Sequence, residues 1–232
     1  MDSVISTWDG ILYSNFPQHT NHPGGGGHAC SLPLRRHAGA WGDGWGRSIV
    51  VQRLTWDRDF KPAAAGVRPP LAQRTDVAWV ELAAPNKTKL RAAWRDLMQM
   101  AVDRIAEENS EGKGRLLLIL VAGFRWMPFM WDPVEPLLHP ELGPLMIKGD
   151  GEGERWLVDP RVYMVRREGE AESTSGLAFD PLEAYTLDCW TTDESGTVVN
   201  LKNLLWLEEL LAAARRKTLA ATEESESSTA KE

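Results

Sequence analysis

Two consecutive stretches decide the fold: DVAWVELAA at residues 76–84 and TKLRAAWRDLMQMAVDRIAE at residues 88–107. The first is rich in strand-forming residues and ends at Pro85 and Asn86, where the chain leaves the strand. In the second, apolar residues recur at the spacing of one buried helix face: Leu90, Trp94, Leu97, Ala101 and Ile105. The pattern therefore predicts a strand followed by an amphipathic helix, with Asn86 or Thr88 as the helix cap.

Strand patterns flank this pair on both sides. RSIVVQRLTW (47–56) alternates between two sets of side chains, which suits a strand. RLLLILVAGF (115–124) is a continuous apolar run typical of a central strand, and RWMPFMWD (125–132) predicts its partner, joined through Gly123. Pro128 places that partner at an edge or a bulge, because proline has no N–H group to donate.

The rest of the chain predicts loops, a broken strand and a final helix. Residues 57–75 contain three prolines and predict a loop. Residues 155–165 predict a strand pair or a bent strand, and LKNLLWLEELLAAARRK (201–217) predicts a helix with apolar residues on more than one face. Asp-Pro pairs predict turns beginning at Asp132, Asp159 and Asp180. The order of elements predicts an α/β fold with a central mixed β-sheet flanked by helices.

Composition divides the chain into a domain and two tails. Residues 1–46 are rich in Gly and His without a sustained period, which predicts a flexible, disordered arm. Residues 47–217 predict a single α/β domain, and residues 218–232 an acidic, disordered tail. Apolar residues make up 43% and charged residues 25% of the 232 residues, which is typical of a soluble globular protein.

Charge and cysteine content indicate the compartment and the class of partner. The net charge of −7 gives no general attraction to phosphate backbones, so it disfavours a nucleic-acid partner without excluding one. Two cysteines cannot form a disulfide framework, and the start MDSVISTWDG lacks the regions of a signal peptide. The apolar run 116–124 is too short to span a bilayer as a helix. We expect an intracellular protein, cytoplasmic or nuclear, that is neither secreted nor bound to a membrane.

A family resemblance rests on three segments: VELAAPNKTKLRAAWRDLMQMAVDRI, then LLLILVAGFRWMPFMWDP, then WLVDPRVY. Over residues 46–217 the chain resembles the PD-(D/E)xK, or restriction-endonuclease-like, superfamily, and within it a large group of uncharacterised fungal proteins. The resemblance implies a strand bearing Asp, a strand bearing Glu-x-Lys, a helix packed on the sheet and a further strand. In such a site two carboxylates hold Mg²⁺, the metal polarises the scissile phosphate, and the lysine orients or deprotonates the attacking water.

The chain departs from this motif at two of its three positions. Glu81 stands at the Glu position, whereas Ala83 stands at the Lys position and Ser48 at the Asp position. This match implies a degenerate nuclease-like site without metal-dependent catalysis. The protein is then expected to need no cofactor and to act as a binding or interaction module. The helix at 201–217 is expected either to be buried between layers of its own domain or to bind a protein partner with its second face, and burial is favoured because exposed apolar patches are rare on soluble monomers.

Two alternatives stay open. In the first, the protein is an active Mg²⁺-dependent nuclease that cleaves DNA or RNA, with Glu81 as a metal ligand. The missing acid then comes from Asp57 or Asp59, and the amine from Lys87. In the second, the chain is an unrelated α/β structural or interaction protein. A buried Glu81 then needs a structural partner, either nearby backbone amides or the guanidinium of Arg91 or Arg95.

Other candidate residues carry weaker signals. Four potential zinc ligands lie within twelve residues, and they predict either a metal site or a disordered His/Gly-rich arm: His19, His22, His28 and Cys30. Some members of the superfamily place a Gln from the following helix at the metal. Gln99 is the residue to compare, but it lies opposite the apolar face of its helix, so we expect it to face solvent.

Overall fold

The computed structural model describes residues 2–16, 26–31, 47–56, 71–83, 90–108, 115–133, 145–167, 178–187, 195 and 202–229. Its elements in chain order are α1 (Asp2–Asn15), β1 (Gly26–Ser31), β2 (Arg47–Trp56), β3 (Leu71–Ala83), α2 (Leu90–Glu108), β4 (Leu116–Ala122), β5 (Arg125–Trp131), β6 (Met146–Lys148), β7 (Arg155–Leu157), β8 (Val162–Met164), β9 (Ala178–Phe179), a 3-10 helix (Pro181–Glu183), β10 (Tyr185–Thr186) and α3 (Lys202–Thr229).

The main sheet is mixed and has seven strands. Its order is β1-β2-β3-β4-β5-β10, and β8 also pairs with β5. Strands β3 and β4 run parallel, with α2 between them in the chain, and the other neighbours are antiparallel. A parallel pair needs a long crossover, which α2 supplies. The predicted α/β class, with a mixed sheet flanked by helices, is confirmed.

Helices cover both faces of this sheet. All seven residues of β4 are buried, and its side chains alternate between two apolar clusters. Leu118 and Leu120 belong to the cluster that contains Trp94 and Leu97 of α2. The residues between them belong to the opposite cluster, which includes Trp8 of α1 and the α3 residues Trp206 and Leu207. The main sheet therefore lies in the middle of three layers.

The turn between β4 and β5 has the geometry that the sequence predicts. Gly123 has a φ of 66°, a left-handed conformation that glycine adopts without strain. With Phe124 it connects the two antiparallel strands directly. The N–H of Gly123 also donates to the carbonyl oxygen of Ala83 at 3.1 Å, so this turn is attached to the end of β3.

Pro128 lies in the middle of β5, at a break in the pairing along that strand. One side of β5 pairs continuously with β4. The other side is shared by β10, opposite Arg125 and Trp126, and by β8, opposite Phe129 to Trp131. Pro128 falls between these two short strands, where its missing N–H removes no ladder hydrogen bond. Its carbonyl oxygen accepts from the N–H of Val165 at 3.1 Å.

The Asp-Pro break at residue 159 separates two sheets. Strand β7 before the break pairs with β6 in a second, three-stranded sheet of order β7-β6-β9. Strand β8 after the break pairs with β5 of the main sheet. Asp159 accepts from the backbone N–H of Arg161 at 2.9 Å, and Asp180 accepts from that of Leu182 at 3.0 Å at the start of the 3-10 helix. Two of the three predicted Asp-Pro turns, those at Asp159 and Asp180, are therefore present, whereas the residues that follow Asp132 and Pro133 lie outside the described part of the chain.

The N-terminal region differs from the predicted disordered arm at residues 1–46. Asp2–Asn15 forms α1, and Val4, Trp8 and Leu12 recur at four-residue spacing and are buried in the core. Their short pattern is diluted by Ser, Asp and Gly, so the sequence gives it little weight, whereas the sheet supplies the packing partner. Gly26–Ser31 forms β1 through backbone pairing with β2, which needs no apolar pattern. The rest of the predicted arm lies outside the described residues.

Two boundaries further along the chain also differ from the sequence analysis. Strand β3 begins at Leu71, within the predicted loop at 57–75, because residues 71–75 continue the antiparallel pairing with β2. Helix α3 ends at Thr229 instead of 217, so it includes most of the predicted acidic tail at 218–232. The extra stretch contains Leu, Ala and Glu, which favour helix.

Helix α3 is buried in its own domain on its most apolar side. Trp206, Leu207 and Leu211 are in the core, whereas Leu205 is 53% exposed. Among the helices that the structure describes, none combines the length and the apolar character needed to cross a membrane.

Candidate functional site

Glu81 lies at the centre of the main sheet. It is on β3, opposite Ser48 of β2 on one side and Leu120 of β4 on the other. It has no exposed surface. Side chains alternate along a strand, so Glu81 projects from the same face as Trp79 and Ala83, towards α2. Ser48, at the position where the motif has Asp, is therefore the direct neighbour of Glu81 across the β2–β3 pair.

Two neutral groups donate hydrogen bonds to one carboxylate oxygen of Glu81. The hydroxyl Oγ of Ser48 donates to Oε2 at 2.9 Å. The indole Nε1 of Trp79 donates to the same oxygen at 3.2 Å. Ser48 is itself 3% exposed, so the interaction is shielded from bulk water. Ser48, which stands where the motif has Asp, thus contacts Glu81 directly as an uncharged hydrogen-bond donor.

The other carboxylate oxygen contacts a cation from α2. Nη1 of Arg104 donates to Oε1 of Glu81 at 2.6 Å. Nη1 also donates to Oγ of Ser48. Arg104 is 4% exposed, so the ion pair is buried on both sides. Together the four side chains form a buried polar network between α2 and strands β2 and β3.

Arg104 is the functional residue that the sequence analysis missed. A structural Glu81 is expected from the sequence to pair with backbone amides or with Arg91 or Arg95, and the two arginines are wrong, because the cation that contacts Glu81 is Arg104. Arg91 instead binds Asp180 through two hydrogen bonds of 3.2 and 3.0 Å, and Arg95 pairs with its neighbour Asp96. Arg104 follows Leu97 by seven residues, so helical periodicity places it on the buried face. A cation at such a position requires a buried acid opposite it, and this signal was available.

Burial and pairing act in opposite directions on the Glu81 carboxyl. Burial disfavours the charged form and raises its pKa from 4.5 to about 7. The charge of Arg104 and the hydrogen bonds from Ser48, Trp79 and Arg104 lower the pKa but do not offset burial. This carboxyl is therefore harder to ionise than an exposed one, and the charge of Arg104 is the largest of the effects that favour its ionised form.

Ala83, which stands at the lysine position of the motif, is buried among apolar side chains. Ala83 is 3% exposed and belongs to the apolar cluster under α2, together with Trp94 and Leu97. Its methyl group has no atom that can orient or deprotonate water. The alternative residues Asp57, Asp59 and Lys87 lie outside the described residues, so the structure places none of them relative to Glu81.

Metal-ligating groups do not converge within the described part of the chain. No group of three or more His, Cys, Asp or Glu side chains there is arranged to hold a metal ion. His19 and His22 are outside the described residues, as are the side chains of His28 and Cys30 on β1. Gln99 is exposed and donates to Asp103 at 2.8 Å, which confirms that it faces solvent.

No protein-family model, no curated protein and no solved structure matches this chain. What the fold and the site define is a class: a three-layer α/β domain whose central sheet buries a Glu–Arg ion pair.

Proposed function

We propose that the chain is a degenerate PD-(D/E)xK nuclease-like domain that acts as a binding or interaction module without metal-dependent catalysis. The order of elements supports the family relationship. The strand that carries Ser48 lies beside the strand that carries Glu81, α2 packs on their shared face, and β4 follows next to β3. These are the elements that the resemblance implies, in the same chain order.

The main observation against catalysis is the contact between the guanidinium of Arg104 and Glu81. An active site of this kind needs a divalent cation on carboxylate oxygens, with coordination positions open to substrate and water. Oε1 of Glu81 already accepts a hydrogen bond from the guanidinium of Arg104 at 2.6 Å, and the ion pair has no net charge. A divalent ion placed there would add two positive charges to a neutral, solvent-excluded pair. Arg104 therefore takes the place of the metal.

The two substituted positions remove the remaining parts of the mechanism. A neutral hydroxyl at Ser48 is a weaker Mg²⁺ ligand than a carboxylate, and it is already engaged with Glu81 and Arg104. A methyl group at Ala83 supplies no charge to stabilise a phosphorane-like transition state. What is left of the motif stabilises the packing of α2 on the sheet.

The class of partner follows from charge and from the surface that α3 leaves free. A net charge of −7 disfavours the backbone of DNA or RNA, so we propose a protein partner. The predicted contact surface on the helix at 201–217 is smaller than expected, because Trp206, Leu207 and Leu211 are used inside the domain. Among the α3 side chains that the structure describes, Leu205, at 53% exposure, is the large apolar one that faces outward.

A cleavage assay tests the loss of catalysis. Purified protein is incubated with single- and double-stranded DNA and RNA in Mg²⁺ or Mn²⁺, alongside Glu81→Gln, which keeps the side-chain volume. We expect no divalent-dependent cleavage that distinguishes the two proteins. Cleavage that needs the metal and is lost in Glu81→Gln would overturn the proposal. It would favour an active nuclease in which Asp57 or Asp59 and Lys87 supply the missing groups.

A further inference from the structure

Arg104 carries hydrogen-bond donors that its contacts with Glu81 and Ser48 leave unused. Both of those contacts are made by one nitrogen, Nη1. The other two nitrogens, Nε and Nη2, are buried and have no hydrogen-bond partner in the part of the chain that the structure describes. The ion pair is therefore made at one end of the guanidinium, and one whole edge is unpaired.

This edge has a defined geometry. The guanidinium is planar and rigid, so its Nε–H and Nη2–H bonds point in parallel from the same side. Parallel donors of this kind match one or two oxygen acceptors placed in the guanidinium plane. Buried charged donors in folded proteins are paired with protein groups or with ordered water. An acceptor is thus required beside Arg104.

Charge and size select the class of acceptor. Glu81 already balances the charge of Arg104, and its carboxylate is part of the same buried network. A second anion on the open edge would lie close to that carboxylate, where its repulsion is poorly screened. The Arg104 side chain is 5% exposed, so a large ligand has no access. The chemistry that fits is a small, neutral hydrogen-bond acceptor.

We propose that the Nε and Nη2 edge of Arg104 is a binding site for ordered internal water, which completes the network between α2 and strands β2 and β3. The water accepts from the guanidinium and has two protons of its own to donate to neighbouring acceptors. This inference does not depend on the proposed function, because it follows from the donors of Arg104 alone.

A crystal structure of the full chain at high resolution tests the site without any substitution. We expect a solvent peak at hydrogen-bond distance, about 2.7–3.2 Å, from Nε or Nη2. Crystals grown in sodium bromide separate water from a halide, and we expect no anomalous bromide signal at this position. A protein oxygen bound to the edge, a bromide peak, or an edge packed only against carbon atoms would each overturn the proposal.

A second measurement tests the same site in solution. The Nε–H resonance of Arg104 in ¹⁵N-labelled protein is identified by its loss in Arg104→Lys, which keeps the charge. We expect a cross-peak between this proton and water that has the sign of a long-lived, bound molecule. The absence of that cross-peak in the folded protein would contradict an internal water.

Discussion

Nη1 of Arg104 lies 2.6 Å from Oε1 of Glu81, and both residues are almost completely buried. This contact links the last turns of α2 to the third strand of the main sheet. Buried ion pairs add little net stability relative to an apolar core, but removing one partner leaves an uncompensated buried charge. We therefore expect the largest loss of stability when only one of the two partners is removed.

Replacing Arg104 by Met breaks the pair on one side and leaves the Glu81 carboxyl buried without its cation. At pH 8, where Glu81 is mostly ionised in the wild type, we expect the free energy of unfolding to fall by about 3–5 kcal/mol. Chemical denaturation followed by tryptophan fluorescence measures this change. Asp96→Asn is the matched control, because its pair with Arg95 is at the surface, and we expect a loss of less than about 1 kcal/mol. Equal losses in the two variants would contradict a buried ion pair.

A double replacement tests the coupling between the two partners. Glu81→Leu combined with Arg104→Met removes both charges, so neither is left buried without its partner. We expect the double variant to be more stable than Glu81→Leu alone, although it carries one more substitution. The same denaturation experiment gives the coupling energy, and additive losses would show that the two side chains act independently.

The titration of Glu81 predicts a specific pH dependence of stability. Its pKa is raised to about 7 in the folded protein, above the ordinary value of 4.5. The folded state therefore binds this proton more tightly than the unfolded state. The resulting stabilisation is fully present below pH 4.5 and is lost as the pH rises through 7. We expect the stability of the wild type relative to Glu81→Gln to fall across this window, and a rise across it would contradict the shift.

The packing of α1 predicts that residues before the Gly/His-rich stretch belong to the domain. Trp8 is fully buried, and its ring meets that of Trp126 edge-on, with centroids 6.4 Å apart. We expect Trp8→Ala to lower the free energy of unfolding by about 3–5 kcal/mol. Tyr13→Ala on the same helix is the control, because Tyr13 is 42% exposed. A cost for Trp8→Ala as small as that of the control would show that α1 is not part of the core.

The central elements of the fold were predictable from the sequence, whereas α1 and β1 were not, and the difference has a physical reason. The series β3, α2, β4 and β5 is apolar enough, with clear enough periods, to be recognised without its neighbours. Helix α1 is stabilised by the sheet that it covers, so its own short pattern is a weak signal. Strand β1 is held by backbone pairing with β2, which leaves no side-chain signature.

The site residues on the strands were predictable from the sequence, whereas the site residue on helix α2 was not predicted. Glu81 and its neighbour Ser48 followed from the motif and the strand order. Arg104 was missed because the helix face was defined from apolar residues alone, whereas a buried cation lies on the same face as Leu97 and Ala101. Asp57, Asp59 and Lys87 lie outside the described residues, so their proximity to Glu81 stays a prediction.

The central claim is that Arg104 takes the place of a metal ion at Glu81. Calorimetric titration of Mn²⁺ or Mg²⁺ into the full chain at pH 8, with Glu81→Gln in parallel, tests it most directly. We expect that no saturable binding heat distinguishes the two proteins. Saturable binding of a divalent ion to the wild type that disappears in Glu81→Gln would contradict it.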